Sequence, residues 1–234
     1  MPFSTSDGVT LWTTTTGTPS SAPPVVILHG GPGLWDDYAV LAEMLDDLTV
    51  VHRFDQRGCG RSGPSDEQTM TRLAQDIDEL RIHWGHERIV VLGHSFGAGL
   101  ALTYAAPYRE HVARLVYLGG VGMGDWHTPY YAELDRRMTP EQRHRRDELT
   151  GRERTPEEET EFRVLSWFTD HVDRAMAMRW AHESAAVDLP INFVANRALA
   201  AHIPQHTFHL IPDAGHAPWR EQPVLTREVV RSVV

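Results

Sequence analysis

The stretch of this sequence best suited to chemistry is Gly93-His94-Ser95-Phe96-Gly97. It follows an apolar run, Val90-Val91-Leu92, and passes at once into a helical pattern from Ala98 to Ala106. A serine between two glycines at a strand-to-helix turn is the pattern of a nucleophile elbow, where a sharp turn pushes the hydroxyl out past the end of a strand. Glycine at both flanks lets neighbouring backbone pack where a side chain would collide. A serine hydroxyl is a weak nucleophile near neutral pH and needs a base within hydrogen-bond reach. The chain must therefore bring a histidine or a comparable base to the end of that strand.

The surrounding sequence reads as a scaffold able to do this. Val25-Val26-Ile27-Leu28 is a continuous apolar run, as expected of a strand buried on both faces of a parallel sheet. Val9 to Thr16 reads as an edge strand, with Thr49 to Phe54, Arg88 to Leu92 and Val112 to Leu118 as further strands. Between them, an amphipathic helix capped by Asp36 or Asp37 is expected to run through Leu45. Another, from about Glu67 to Trp84, carries Leu73, Ile77, Leu80 and Trp84 on one face. This alternation predicts an α/β fold with a mostly parallel sheet and helices on both faces. Ligands in such sheets sit at the carboxyl ends of the strands, where His29 to Gly33, Asp55 to Gly63 and Gly93 to Gly97 all fall. From Met123 to about Leu189 strand patterns vanish and charge becomes dense, with aromatics interleaved, which predicts a helical cap insertion over residues 123–189. The core is then 1–122 and 190–234, with a strand from Thr207 to Ile211 and a closing helix from Pro223 to Val233.

Bulk properties narrow the function classes. A net charge of −10 argues against a nucleic-acid partner. No apolar run is long enough to cross a bilayer, and the first seven residues lack the pattern of a signal peptide. The single cysteine, Cys59, excludes an internal disulfide and fits a reducing cytoplasm. Among the 14 histidines no metal-ligand spacing stands out. His206 and His209 point to opposite faces of a strand, and Pro204 interrupts the helical spacing of His202 and His206. No metal or other cofactor is expected.

Taken together, His29-Gly30-Gly31-Pro32-Gly33, Asp55-Gln56-Arg57-Gly58-Cys59-Gly60-Arg61-Ser62, the elbow and Gly215-His216 resemble the α/β-hydrolase superfamily, and within it the proline iminopeptidase-like group. The resemblance implies a serine hydrolase with Ser95 as nucleophile and His216 as general base, since the nucleophile precedes the histidine in that fold. The oxyanion that forms during attack on a carbonyl needs preorganised donors. The backbone N–H of Phe96 is one. Pro32 has no N–H, so Gly31 is the expected second. Asp55 is expected to pair with Arg57 or Arg61 and hold its loop beneath the site, His94 to be a packing or hydrogen-bonding neighbour, and Cys59 to be inert. Trp126 and Trp167 are candidate pocket-lining aromatics, or cap core.

The triad acid is where the chain departs from the family pattern. No Asp or Glu lies between Asp188 and Asp213. Either Ile191 to Ala195 is the strand that usually precedes the acid, with Asn196 in its place, or Asn192 to Leu199 ends the cap and one strand and helix near residue 200 are missing. The second reading is preferred, and a segment between Asn196 and Phe208 would then be absent. Asp125, after the strand ending near Leu118, is the first candidate for the acid, with Asp188 and Asp213 as alternatives. Asp213 is expected instead to cap its own turn. The function expected is cleavage of a small ester, amide or N-terminal residue of a short peptide through an acyl-enzyme, weakened if the acid is lost. The alternative is an inactive small-molecule-binding protein on a hydrolase scaffold.

Overall fold

The computed structural model describes residues 2–120, 127–187, 189, 211 and 213–234. The chain divides into two compact units. The first comprises Met1–Met123, Leu189–His209 and Val224–Val234, and the second Gly124–Asp188 and Leu210–Pro223.

The first unit opens with a two-stranded antiparallel sheet of β1 (Phe3–Ser4) and β2 (Thr10–Leu11). Among the described residues its main sheet has five strands in the order β3-β5-β4-β6-β7, with β3 (Thr13–Thr16), β4 (Val25–Leu28), β5 (Val51–Phe54), β6 (Ile89–His94) and β7 (Val112–Leu118). Only β3 runs antiparallel, and β4, β5, β6 and β7 are parallel. Side chains alternate across β4 and β6, so Val26, Leu28 and Val91 join one core with Leu73, Ile77 and Leu80 of α2 (Met70–His83) and Leu100, Ala101 and Tyr104 of α3 (Phe96–Ala105). Val25, Ile27, Val90 and Leu92 point the other way and are equally buried, so both faces of the sheet are covered. On the remaining helices, α1 (Ala39–Glu43) buries Leu41 and Ala42, and α9 (Pro223–Ser232) is tied to the segment after α1 by Arg231, which donates to Met44 O and Asp47.

Local sequence explains where these elements begin. Thr69 accepts the Arg72 N–H and caps α2. The expected aspartate cap on α1 is not made, and Tyr38 stands at that position with no side-chain cap. Asp36 is used elsewhere. It pairs with Arg53 and its own N–H donates to Asp55 Oδ1 at 2.7 Å. Burial pushes the Asp36 carboxyl up to about 7, against the pull of Arg53.

Beneath the sheet end lies a buried charge network that the sequence did not predict. Arg57 is fully buried and donates to Asp76 through Nε and Nη2 (2.7 and 2.8 Å) and to Asp7 through Nη1 and Nη2. Arg72 also donates to Asp76, at 2.9 Å. Such a network is weak evidence for net stability, but removing one partner strands a buried charge. Asp76→Asn should therefore lower stability by about 3–5 kcal/mol in urea unfolding. A loss below about 1 kcal/mol would show that Asp7 alone suffices for Arg57.

The second unit is helical: α4 (His127–Arg137), α5 (Pro140–Leu149), α6 (Pro156–Trp167), a 3₁₀ turn at Phe168–Asp170, α7 (Arg174–Ala185) and the short α8 (Pro218–Glu221). One apolar cluster in it packs Val164, Ala181 and Ala185 with Trp167 and Phe168, and Leu134, Met138, Leu149, Leu165 and Ala177 are buried as well. Residues 210–223, expected with the sheet, group with this unit instead. The physical reason is the Glu221 carboxylate, which accepts from the N–H groups of Val172, Asp173 and Gly215 at 2.6, 2.9 and 2.5 Å. The expected strand from Thr207 and the Asn192–Leu199 segment lie outside the described residues, Ile211 aside, which is not in a strand. No helix among the described residues is long and apolar enough to cross a membrane.

Candidate active site

The register of β4 against β6 fixes the first half of the site. Leu28 pairs with Gly93, so the loop that follows β4 emerges beside the turn that follows β6. Ser95 occupies that turn with φ 53° and ψ −120°, a left-handed backbone that side chains rarely adopt. Its N–H donates to Leu118 O at 3.0 Å, and its C=O accepts from Ala98 N–H at 3.1 Å as α3 begins. Strain at a single residue persists only where the surroundings over-determine it.

The flanking glycines supply that over-determination. A Cβ on Gly93 would lie 2.0 Å from Gly97 O, and one on Gly97 would lie 2.2 Å from Leu28 O and 2.6 Å from His29 O. The start of α3 is thus pressed against the ends of β4 and β6 so closely that no side chain fits. This agrees with the elbow expected from the sequence.

Hydrogen bonds, among them Gln56 Nε2 to His29 O at 2.9 Å, hold the loop after β4. His29 is fully buried, and its Nε2 lies 2.9 Å from Gln56 N–H, which makes Nε2 the acceptor. Nδ1 then carries the proton and donates to Gly30 O at 2.7 Å. Burial lowers the His29 pKa and keeps the ring neutral, as this bonding requires. Gly30 N–H donates to Tyr38 Oη at 2.9 Å, and Tyr38 Oη lies 2.6 Å from His94 Nδ1. His94, next to the serine in sequence, thus hydrogen-bonds Tyr38. A Cβ on Gly30 would stand 3.2 Å from Ser95 Cβ, so this loop touches the elbow. With the Gly30 N–H engaged and Pro32 lacking one, Gly31 carries the next N–H in the loop (φ 129°).

Asp55 organises the neighbouring loop. Its carboxylate accepts from Arg61 N–H and Nε at 2.7 Å and Nη2 at 2.8 Å, as well as from Asp36 N–H. Of the two expected partners, Arg61 is the one used, while Arg57 turns to Asp76 and Asp7. Gly60 (φ 52°) is required here, because a Cβ would fall 2.5 Å from Asp55 Oδ2. Cys59 is buried, and desolvation pushes its thiol up to about 12, which leaves it no thiolate character at neutral pH.

His216 belongs to the second unit. Its N–H donates to Asp170 O at 2.8 Å, and a Cβ on Gly215 would lie 2.2 Å from that same oxygen. The Asp170 carboxyl is partly buried and accepts from Tyr130 Oη at 3.2 Å. Desolvation raises its pKa, opposed by the nearby charge of His216 and by the Tyr130 bond. Asp170 escaped the sequence reading because no spacing rule links it to a histidine 46 positions later; the His216 N–H bond and the Glu221 carboxylate join the two segments.

Of the other expected site residues, Asp125, Trp126 and Asp188 lie outside the described residues. Trp167 packs on the core of the second unit, which favours its reading as cap core. Asp213 has a left-handed backbone (φ 52°), and its C=O accepts from Gln222 Nε2 at 3.3 Å. Among the described residues no group of three or more His, Cys, Asp and Glu could hold a metal.

Comparison with known proteins agrees with this architecture. Residues 23–155 match the sequence profile of the alpha/beta hydrolase fold family, more than half of the chain. A proline iminopeptidase of Saccharolobus solfataricus is 37% identical over 122 residues, 50% of this chain and 38% of that protein. One from Xylella fastidiosa is 38% identical over 122 residues, covering 50% and 39%. The matched region is thus well under half the length of these relatives. Among solved structures, an esterase of Thermogutta terrifontis superposes with a TM-score of 0.66 at 23% identity, covering 99% of this chain and 95% of that one. The proline iminopeptidase of Mycobacterium smegmatis does so with a TM-score of 0.62 at 19% identity, covering 96% and 93%. Those likenesses concern the fold alone. The elbow, the parallel strand order around it and the profile match lead to one statement of kinship: this chain belongs to the α/β-hydrolase fold family.

Proposed function

We propose that the chain is a serine hydrolase that cleaves a small ester, an amide or the N-terminal residue of a short peptide through an acyl-enzyme. The observation that carries this reading is Ser95, held at φ 53° between the end of β6 and the start of α3 by glycines that admit no side chain. Ser95 Oγ attacks the substrate carbonyl and its proton passes to the His216 imidazole. The N–H groups of Phe96 and Gly31 hold the oxyanion; losing one such donor costs about 2.7–4 kcal/mol of transition-state stabilisation. Collapse of the tetrahedral adduct expels the alcohol or amine, which takes the proton from His216. Water then repeats the sequence on the acyl-serine and releases the acid.

The imidazolium formed in each half-reaction needs a nearby negative charge. We assign that support to Asp170, whose backbone holds the His216 loop and whose carboxyl feels the histidine's charge. Asp125, the first substitute candidate for the acid missing from the family pattern, is the competing assignment. Asp170→Asn should slow acylation by between about 10-fold and 10⁴-fold, the upper figure being the loss of a hydrogen-bonded triad aspartate. Pre-steady-state burst kinetics with a p-nitrophenyl ester read this directly. An unchanged burst in Asp170→Asn together with a slowed one in Asp125→Asn would transfer the role.

The half-length match to proline iminopeptidases supports, at the level of substrate class, an aminoacyl bond. The elbow here reads Gly93-His94-Ser95-Phe96-Gly97-Ala98, where that group usually has Gly-Gly-Ser-Trp-Gly-Gly, so simple esters remain within the reading. A product screen across aminoacyl anilides, acyl esters and lactones tests the whole proposal. Turnover of at least one class, lost in Ser95→Ala, is expected, and a folded chain inert to all three would contradict it.

A further inference from the structure

Two N–H groups that hold one oxyanion must keep a fixed spacing, since each has to reach the same oxygen at about 2.7–3.1 Å. The two donors assigned to this chain belong to different elements, Gly31 to the loop after β4 and Phe96 to the start of α3. One buried phenol touches both sides. Tyr38 is 4% exposed, and its Oη accepts from Gly30 N–H at 2.9 Å while lying 2.6 Å from His94 Nδ1. A phenol makes both bonds at once, because it accepts through oxygen and also has a proton to give. Gly30 directly precedes one donor, and His94 and Ser95 directly precede the other. A Cβ on Gly30 would meet Tyr38 Oη at 3.1 Å, Ser95 Cβ at 3.2 Å and His94 Nδ1 at 3.3 Å, so loop, elbow and phenol converge there.

The phenol is anchored through its own backbone. Tyr38 N–H donates to Asp36 Oδ1 at 3.4 Å, and Tyr38 O accepts from Ala42 N–H at 2.9 Å as α1 begins. Asp36 is itself paired with Arg53 of β5, which ties the phenol back to the sheet. On the loop side, Gly30 is bonded at both ends: its N–H to Tyr38 Oη, and its C=O to His29 Nδ1–H at 2.7 Å. A planar trans peptide points its N–H opposite to its C=O, so fixing Gly30 O also aims Gly31 N–H. The Tyr38 hydroxyl fixes the other end of the same residue and links it to the elbow.

We propose that Tyr38 is a positioning residue for the reaction: its hydroxyl sets the spacing of the two oxyanion donors by joining the loop after β4 to His94. The inference rests on the serine-hydrolase reading and adds to it a residue that acts through the backbone of the donors.

Tyr38→Phe removes the hydroxyl and keeps the ring. For a p-nitrophenyl ester or an aminoacyl anilide it should lower kcat by about 10- to 100-fold, the upper figure being the cost of a 1 Å misplacement. KM should stay within about twofold, because the donors act only on the transition state. The thiocarbonyl analogue of the same substrate separates positioning from packing. Its sulfur is a weak hydrogen-bond acceptor and draws little on the donors, so the ratio of kcat/KM between the oxygen and sulfur substrates should fall in Tyr38→Phe. A general loosening of the fold would lower both alike. If circular dichroism shows Tyr38→Phe unfolded, His94→Leu cuts the same tie from the elbow side, with the same loss expected. A folded variant with kcat within about twofold of the parent chain, or with an unchanged oxygen-to-sulfur ratio, would overturn the proposal, while the parent's turnover upholds the hydrolase reading. A folded parent chain inert to esters, anilides and lactones would overturn that reading and this inference with it.

Discussion

His216→Ala is expected to abolish turnover of a p-nitrophenyl ester, with kcat falling by about 10⁶-fold, as when the base of a serine protease is removed. The size of the effect follows from the chemistry: without a proton acceptor the Ser95 hydroxyl stays a weak nucleophile. The backbone N–H of His216 donates to Asp170 O, and alanine keeps that donor. Steady-state kinetics beside far-UV circular dichroism separate the two effects. A folded variant with near-normal turnover would remove His216 from the mechanism.

Gly93→Ala should have the largest effect on the fold. The added carbon would sit 2.0 Å from Gly97 O and 2.4 Å from Gly97 C, both backbone atoms that no side-chain rotation can move. Relief requires α3 to lift from the end of β6, which pulls Ser95 out of its strained turn and Phe96 away from the oxyanion position. Overpacking of this kind costs about 1–3 kcal/mol when side chains can yield, and more here because backbone must move. We expect a loss above about 3 kcal/mol in urea unfolding, together with loss of activity. Gly63→Ala is the control, since its new carbon would meet Thr10 at an ordinary 3.4 Å. Equal stability of the two variants would refute the close-packed elbow.

How much of this was legible in the sequence depends on how local each signal is. β7 was expected at Val112–Leu118 as a short buried strand and is found over those residues, although only Leu118 is buried and Arg114 is exposed. The turn at Ser95 and its flanking glycines were readable because they sit within a few residues of a strand end. The starts of α5 and α6 are written locally too, in Thr139-Pro140-Glu141-Gln142 and Thr155-Pro156-Glu157-Glu158, both of which form capping boxes. What stayed hidden depends on contacts between distant segments. Asp36 looked like a helix cap until Arg53 and Asp55 claimed it, and Arg57 looked like a partner for Asp55 until Asp76 and Asp7 surrounded it. Likewise nothing near Asp170 announces His216, and nothing near Glu221 announces that it holds residues 172, 173 and 215.

The central claim is that Ser95 is an activated nucleophile, and a fluorophosphonate probe tests it most directly. Intact-mass analysis should show one phosphonyl adduct per chain, peptide mapping should place it on Ser95, and Ser95→Ala should take up none. A folded chain that remains unlabelled, or one labelled equally in Ser95→Ala, would contradict the account and leave the fold as a scaffold for binding alone.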